Sequence, residues 1–334
     1  MVTLILGAVI GCLVGWFFVS GWLPFHQTDH VACLIEQAIV IENQGEQPVI
    51  ADSLYVQIPP DNERQRAALV GVTPEELQVS ETGGVLTVKG FRALLPGDEL
   101  RIVYSMIVKT RRTESLRSQE VNPSDTALEA DIESSADAIV EEARKLSAGA
   151  DSAEEKAYRF YEFVAGNIDF NAEMEPGTGR SALECLKRNE GVCGHKANLL
   201  TALCRASGIP ARTVIGFILP KSEKAAQRGS HAWNEIYIGG QGWFFADPTF
   251  GSSVRNRQKY WKQYDLHRIR TAPSAKYDCF AAARERLGDE AAPACEVLAF
   301  PRFLLTVQKD SVNERLVVRG DKSTTKATYM DAPW

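Results

Sequence analysis

The sequence has no pair of cysteines at a CxxC spacing: Cys12, Cys33, Cys185, Cys193, Cys204, Cys279 and Cys295 are scattered along the chain. That excludes the zinc sites that need closely spaced thiolates, and neither a metal nor a cofactor is expected. An excess of positive charge is also lacking. There are 37 Lys and Arg against 43 Asp and Glu, a net charge of −6, and no lysine run interleaved with aromatics. The chain therefore lacks the basic field that gathers phosphates, and nucleic acid is excluded as a partner. No Lys or Arg precedes Arg64, so the basic start of a cleaved leader is missing.

What is present begins with an uncharged run of 22 residues, Val2 to Leu23. At about 1.5 Å per helical residue it is long enough to cross a bilayer. Residues 1–25 read as an uncleaved single-pass anchor; a leader cut near Val19-Ser20-Gly21 is the other option. The α-amino group is the nearby cation, which places the bulk of the chain on the extracytoplasmic side. Gly7, Gly11 and Gly15 recur every four residues and make a smooth stripe, a candidate homodimer contact. Small residues that merely fall in a leader are the plainer reading. Cys279 and Cys295 bracket a short helical stretch and either bridge in an oxidising compartment or stay as buried thiols.

At 334 residues, 45% hydrophobic, the chain has room for two domains. Residues 31–111 alternate in the manner of strands, with turns at Asn43-Gln44-Gly45, Gly83-Gly84 and Pro96-Gly97-Asp98. A β-sandwich over residues 30–115 is expected. The period then lengthens to about 3.6 residues. Ser124 to Leu146 reads as helix, and Ser152 with Glu155 offers a capping box that opens a second helix running to about Phe163. From Cys193 the order is helix, strand (Ala211 to Leu219), loop, strand (HAWNEIYI) and strand (QGWFFAD), with Gly208 and Pro210 ending the helix. An α+β domain over residues 122–255 is expected, with the helix from Cys193 packed on an antiparallel sheet, and 256–334 as a C-terminal extension whose fold the pattern leaves open.

Cys193 falls in the first turn of its helix, where free backbone N–H groups and the helix dipole favour thiolate over thiol. Gly191 and Gly194 flank it as if to clear a path for substrate. His195 is rotated about 200° from Cys193 by the helical period and points elsewhere. His231 opens one strand and Asp247 ends the next. Strand parity puts them on one face if the turn holds three residues, and a directly opposed pair requires the turn Ile238-Gly239-Gly240. In that geometry Asp247 fixes the imidazole tautomer and the other ring nitrogen meets the sulfur. Asn189 offers itself as a second oxyanion donor. Trp233 and Trp243 are candidate walls of an acyl groove, with core packing beside the histidine as the plainer role. Lys196 and Arg212 read as surface or structural charges, and Cys204 as a small core residue.

The segments GVCGHKANLLTALCRASGIPARTVIGF, SHAWNEIYI and GWFFADPTFG resemble, in order and spacing, the three motifs of the transglutaminase-like superfamily, over roughly residues 150 to 252. The resemblance implies a papain-like arrangement with Cys193 as nucleophile, His231 as base and Asp247 as orienting acid. A β-domain joined to such a core resembles bacterial membrane-associated members. It implies an acyl-enzyme route on a protein or peptide substrate, with water as the expected acceptor (a cysteine peptidase or amidase). A lysine amine as acceptor would make a protein-glutamine cross-linking transglutaminase, and loss of turnover would leave a membrane-anchored interaction or assembly protein.

Overall fold

The computed structural model describes residues 29–174, 180–219, 228–272, 293–297, 303–307 and 316–330. The expected anchor at residues 2–23, with Gly7, Gly11 and Gly15, lies outside them, as does Cys279. Among the described residues no helix is long and apolar enough to cross a membrane.

The protein is a mixed α/β molecule built on two groups of sheets. Strands β1 (His30–Asn43), β2 (Ala51–Gln57), β3 (Gln65–Thr73), β4 (Gln78–Thr82), β5 (Val85–Lys89) and β6 (Glu99–Arg111) come first. They enter two antiparallel sheets, one ordered β15-β1-β6-β3 and the other β13-β14-β2-β5-β4. Alternate residues of β6, Ile102, Tyr104, Met106 and Val108, meet Leu54, Val56, Leu86 and Val88 of the facing sheet in one apolar core. Period-two patterning thus produces the sandwich. Its completion is non-local, since β13 (Pro293–Val297), β14 (Phe303–Val307) and β15 (Leu316–Met330) return from the far end of the chain to pair within these sheets.

Between them lie α1 (Asp137–Leu146), α2 (Ala153–Asn167), β7 (Asp169–Phe170), α3 (Ala182–Arg188), β8 (Glu190–Gly191) and α4 (Cys193–Ala206). A sheet ordered β11-β10-β9-β12 follows, from β9 (Ala211–Ile218), β10 (Arg228–Ile238), β11 (Gly242–Ala246) and β12 (Arg268–Ala272). The helices bury Phe160, Val164, Leu199 and Leu203 against Ile236, Ile238 and Phe244 on one face of it. The opposite face carries Val214, Trp233, Trp243, Phe245 and Tyr264. At the start of α2 the Ser152 hydroxyl accepts the Glu155 N–H at 3.1 Å, while the Glu155 carboxylate reaches back to the Asp151 N–H at 2.9 Å.

The helix expected over Ser124–Leu146 is reduced to Asp137–Leu146. The preceding residues spend their polar groups on neighbours instead. Arg205 donates to the Ala127 carbonyl at 2.8 Å and to the Glu129 carboxylate at 2.7 Å. Glu133, held at φ 43°, accepts from the Ser181 hydroxyl and the Leu183 N–H and so caps α3. These tertiary bonds outweigh a local helical preference.

Strand β12 ties the two groups of sheets together. Arg64, 2% exposed, donates to the carbonyls of Arg268 at 2.8 Å and Asp265 at 2.7 Å. The Gln65 amide exchanges two hydrogen bonds with the backbone of Arg270. Ile269 and Phe217 pack into the sandwich core.

Candidate functional site

Cys193 is the first residue of α4, after the extended Val192 at φ −78° and ψ 178°, and no acidic side chain lies in that first turn. The flanking glycines make room for the protein's own side chains. A Cβ on Gly191 would stand 2.5 Å from Cβ of His195, and one on Gly194 would stand 2.4 Å from Cδ of Arg180. His195 is fully buried beneath the turn, and Cys193 keeps partial exposure.

The hairpin differs from the expected one by two residues of register. Ile238 pairs with Gly242 and Asn234 with Ala246, so the turn is Gly239-Gly240-Gln241 with Gly240 at φ 76°. Ile238 is 6% exposed and packs in the helix-side core, which bars it from the turn. The turn therefore slides one residue towards Gln241, and because register moves in steps of two, His231 and Asp247 keep their common face. They meet diagonally: His231 Nε2 lies 2.8 Å from Asp247 Oδ2. β11 ends at Ala246, leaving the next stretch of β10 unpaired on that edge, and there the Ala232 N–H and the His231 ring come near enough to the Cys193 sulfur to favour its ionised form. With Nε2 on Asp247, Nδ1 is the nitrogen left for the sulfur.

Asp247 is fully buried and saturated with donors. Oδ1 accepts the Thr249 and Phe250 N–H groups, each at 3.0 Å, and Oδ2 accepts from His231 and from Arg268 Nη2 at 2.7 Å. Arg268, 1% exposed, also holds Asp265 at 2.9 Å, and its guanidinium lies 5.0 Å from the Phe250 ring centre. Phe250 stacks on His231 with centroids 4.8 Å apart and planes 16° apart.

Burial by itself pushes the His231 pKa down, but the Asp247 charge and hydrogen bond, with the Cys193 sulfur, outweigh it and raise the ring to about 9. Burial likewise pushes the Cys193 thiol up, yet the His231 hydrogen bond and charge, the Ala232 N–H and the Arg180 charge together hold it below its ordinary value. Asp247 resists burial through His231 and Arg268 and stays well below the usual carboxylate range. The Cys193 and His231 shifts both favour thiolate beside imidazolium. Cys204, eleven residues on, shows the contrast: fully buried with only the Arg205 charge to offset it, its thiol is pushed far up.

The remaining expected residues fall as follows. Trp233 and Trp243 are 1% and 0% exposed, and the Trp243 indole donates to the Gln119 carbonyl at 3.0 Å. Neither forms the wall of an open groove; both are packed with Val214, Phe245 and Tyr264. Arg212 and Lys196 are buried rather than surface charges. Arg212 pairs with Glu235 and lies 3.9 Å from the Trp243 ring centre, while Lys196 donates to the Ile168 carbonyl at 2.6 Å. Asn189 is an exposed left-handed C-cap at φ 55°, its carbonyl accepting the Asp169 N–H. Sequence reasoning missed Arg268, Phe250 and Arg180. Phe250 stood inside the DPTF segment, whereas nothing in the local pattern marked either arginine.

Residues 141–248 match the transglutaminase-like superfamily, so the chain carries a transglutaminase-like domain, of a class whose members are typically cysteine-dependent enzymes. An uncharacterized protein of Mycobacterium leprae is 38% identical over 77 residues, 22% of this chain and 27% of that one. A protein-glutamine gamma-glutamyltransferase of Pseudomonas aeruginosa is 34% identical over 83 residues, 22% of this chain and 12% of that one. The chain thus spans well under half the length of these curated relatives. Over nearly the whole chain, the fold is similar to the crystal structure of a proposed cysteine protease from Cytophaga hutchinsonii, with 92% and 93% of the two chains covered, 14% identity and a TM-score of 0.52.

Proposed function

We propose that the protein is a thiol acyl-transfer hydrolase, a cysteine peptidase or amidase acting on protein or peptide substrates. Cys193 is the nucleophile, His231 the proton carrier and Asp247 the orienting acid. The observation that supports this most is His231, held at 2.8 Å on the saturated Asp247 carboxylate while its ring acts on the Cys193 sulfur. The thiolate attacks the acyl carbon, forming the C–S bond and moving the carbonyl pair onto oxygen. The Cys193 backbone N–H, free at the helix start, is available to that oxyanion. His231 then gives its proton to the departing amine as the C–N bond breaks. Water, deprotonated by His231, cleaves the thioester and restores the thiol.

The local similarity to a protein-glutamine gamma-glutamyltransferase favours a second reading, in which a lysine amine replaces water at the thioester. The reading also includes the anchor over residues 2–23, with the bulk of the chain on the extracytoplasmic side; protease accessibility in intact cells tests it. Wild type and Cys193→Ala are to be profiled on a library of peptides and amides, with ammonia release and amine incorporation followed in parallel. Turnover lost in Cys193→Ala supports the enzyme. Absence of turnover, together with slow alkylation of Cys193 matching that of Cys204, refutes it and leaves an interaction protein.

A further inference from the structure

Next to Cys193 lies a cation that the acyl-transfer scheme does not use. Arg180 precedes α3, and its carbonyl is anchored by the amide of Asn198, a 3% exposed residue of α4, at 2.8 Å. Its aliphatic stem crosses Gly194, where Cδ and Nε would stand 2.4 and 2.9 Å from an added Cβ. The missing side chain at Gly194 is thus the slot that carries the arginine across the first turn of the nucleophile helix. Arg180 is partly exposed, and among the described residues its guanidinium has no carboxylate or other side-chain partner. The buried Arg205, Arg212, Arg268 and Arg270 behave differently, each sitting on an acidic side chain.

We propose that Arg180 forms an anion-binding subsite beside Cys193, which selects acyl donors carrying a carboxylate close to the scissile carbonyl. A guanidinium offers two parallel N–H groups to a carboxylate and stays charged at every working pH, so it discriminates acid from amide at the same position. Its charge also acts on the Cys193 thiolate, which places it within electrostatic reach of the reacting sulfur. The partner class is an acidic acyl donor, such as a peptide with a glutamate side chain or a free C-terminal carboxylate near the cleaved bond. This proposal rests on the reading of Cys193 as the nucleophile.

Two alkylating agents of nearly equal shape, iodoacetate and iodoacetamide, separate the two ideas. Both rates scale with the thiolate fraction, so their ratio at Cys193 removes any change in thiol ionisation and reports charge recognition alone. His231 contributes equally in both variants. Arg180→Gln is expected to lower the iodoacetate-to-iodoacetamide ratio by about fivefold or more, and Arg180→Lys to retain most of it. An Arg180→Gln ratio equal to wild type overturns the subsite while fast iodoacetamide labelling leaves the nucleophile standing. Slow labelling of wild type by both reagents overturns the nucleophile and the subsite together.

Discussion

Asp247→Asn is the substitution that separates a held ion pair from three side chains that merely touch. The carboxylate accepts four hydrogen bonds in a fully buried position. An asparagine whose oxygen stays with the Thr249 and Phe250 N–H groups turns its NH2 towards His231 and Arg268, which are both donors. One of these is a buried guanidinium, and breaking a buried pair from one side costs about 3–5 kcal/mol. At about 1.4 °C per kcal/mol for a chain of 334 residues, the melting temperature falls by roughly 4–7 °C. The Asp247 charge and hydrogen bond that help raise His231 to about 9 are gone, so burial pushes the ring down against the Cys193 sulfur alone. The imidazolium is lost near neutrality, and Cys193 then loses the partner that offsets its own burial. Iodoacetamide labelling of Cys193 at pH 7 is expected to slow by about tenfold or more, as for a thiol that has lost the imidazolium favouring its ionised form. Turnover should fall by roughly ten-thousandfold, through the wrong imidazole tautomer. Labelling rates are measured from pH 5 to 10 by mass spectrometry of the Cys193 peptide. A folded Asp247→Asn protein with the wild-type labelling profile would refute the argument that the carboxylate sustains the thiolate.

In the wild type, kcat/KM is expected to rise with pH as Cys193 ionises, below the ordinary thiol range, and to fall as His231 loses its proton at about 9; a basic limb at or below neutrality contradicts the raised histidine. The same shift has a stability sign. His231 is raised above its unfolded value, so its contribution is complete below about 6.5 and disappears as pH climbs through about 9, which melting curves of wild type and His231→Phe will compare. Gly216→Ala places a Cβ 2.0 Å from the Ile269 carbonyl oxygen and 2.4 Å from the Trp233 ring, an overpacking worth about 1–3 kcal/mol or more in urea titrations. Arg64→Met strips the donor from two backbone carbonyls, at about 1–3 kcal/mol each. Faster amide exchange over residues 265–272 is the accompanying sign, and unchanged exchange there argues against a bracing role.

The face shared by His231 and Asp247 was legible because parity survives any even slip of register, and a two-residue slip is what occurred. The turn itself was not legible. Two adjacent glycines allow either placement, and the burial of Ile238 against the helices, a tertiary fact, decides between them. Cys193 was readable from its position at a helix start, yet the purpose of its glycine neighbours was not: they receive His195 and the stem of Arg180, the latter from before the preceding helix. Trp233 and Trp243 show the limit of reading aromatics near a candidate base, because indoles beside a histidine fill core and groove with the same spacing. Arg268 lies 21 residues beyond Asp247, in a segment without clear periodicity, and only the pairing of β12 with β9 brings it back to the carboxylate.

That pairing also explains why the sandwich cannot be treated as an accessory to the site. Asp247 draws two of its four donors from its own turn and one from His231; the fourth, Arg268, depends on where β12 is held. One edge of β12 is fixed by β9, and on its other side Arg64 and Gln65 of the sandwich grip the carbonyls of Asp265, Arg268 and Arg270. Arg64, 2% exposed, is withdrawn from water to make those bonds, and that burial pulls its pKa down to about 10. Charge is balanced across the same layer: Arg212 and Arg270 face Glu235, and Arg268 faces Asp247 and Asp265. Removing residues 30–115 would strip donors from three carbonyls and uncover Ile269 and Phe217, the apolar contacts that seat the strand. An isolated core would therefore keep Cys193 and His231 in sequence but lose the support that holds Arg268 against Asp247, and with it the charge balance on which the imidazolium depends.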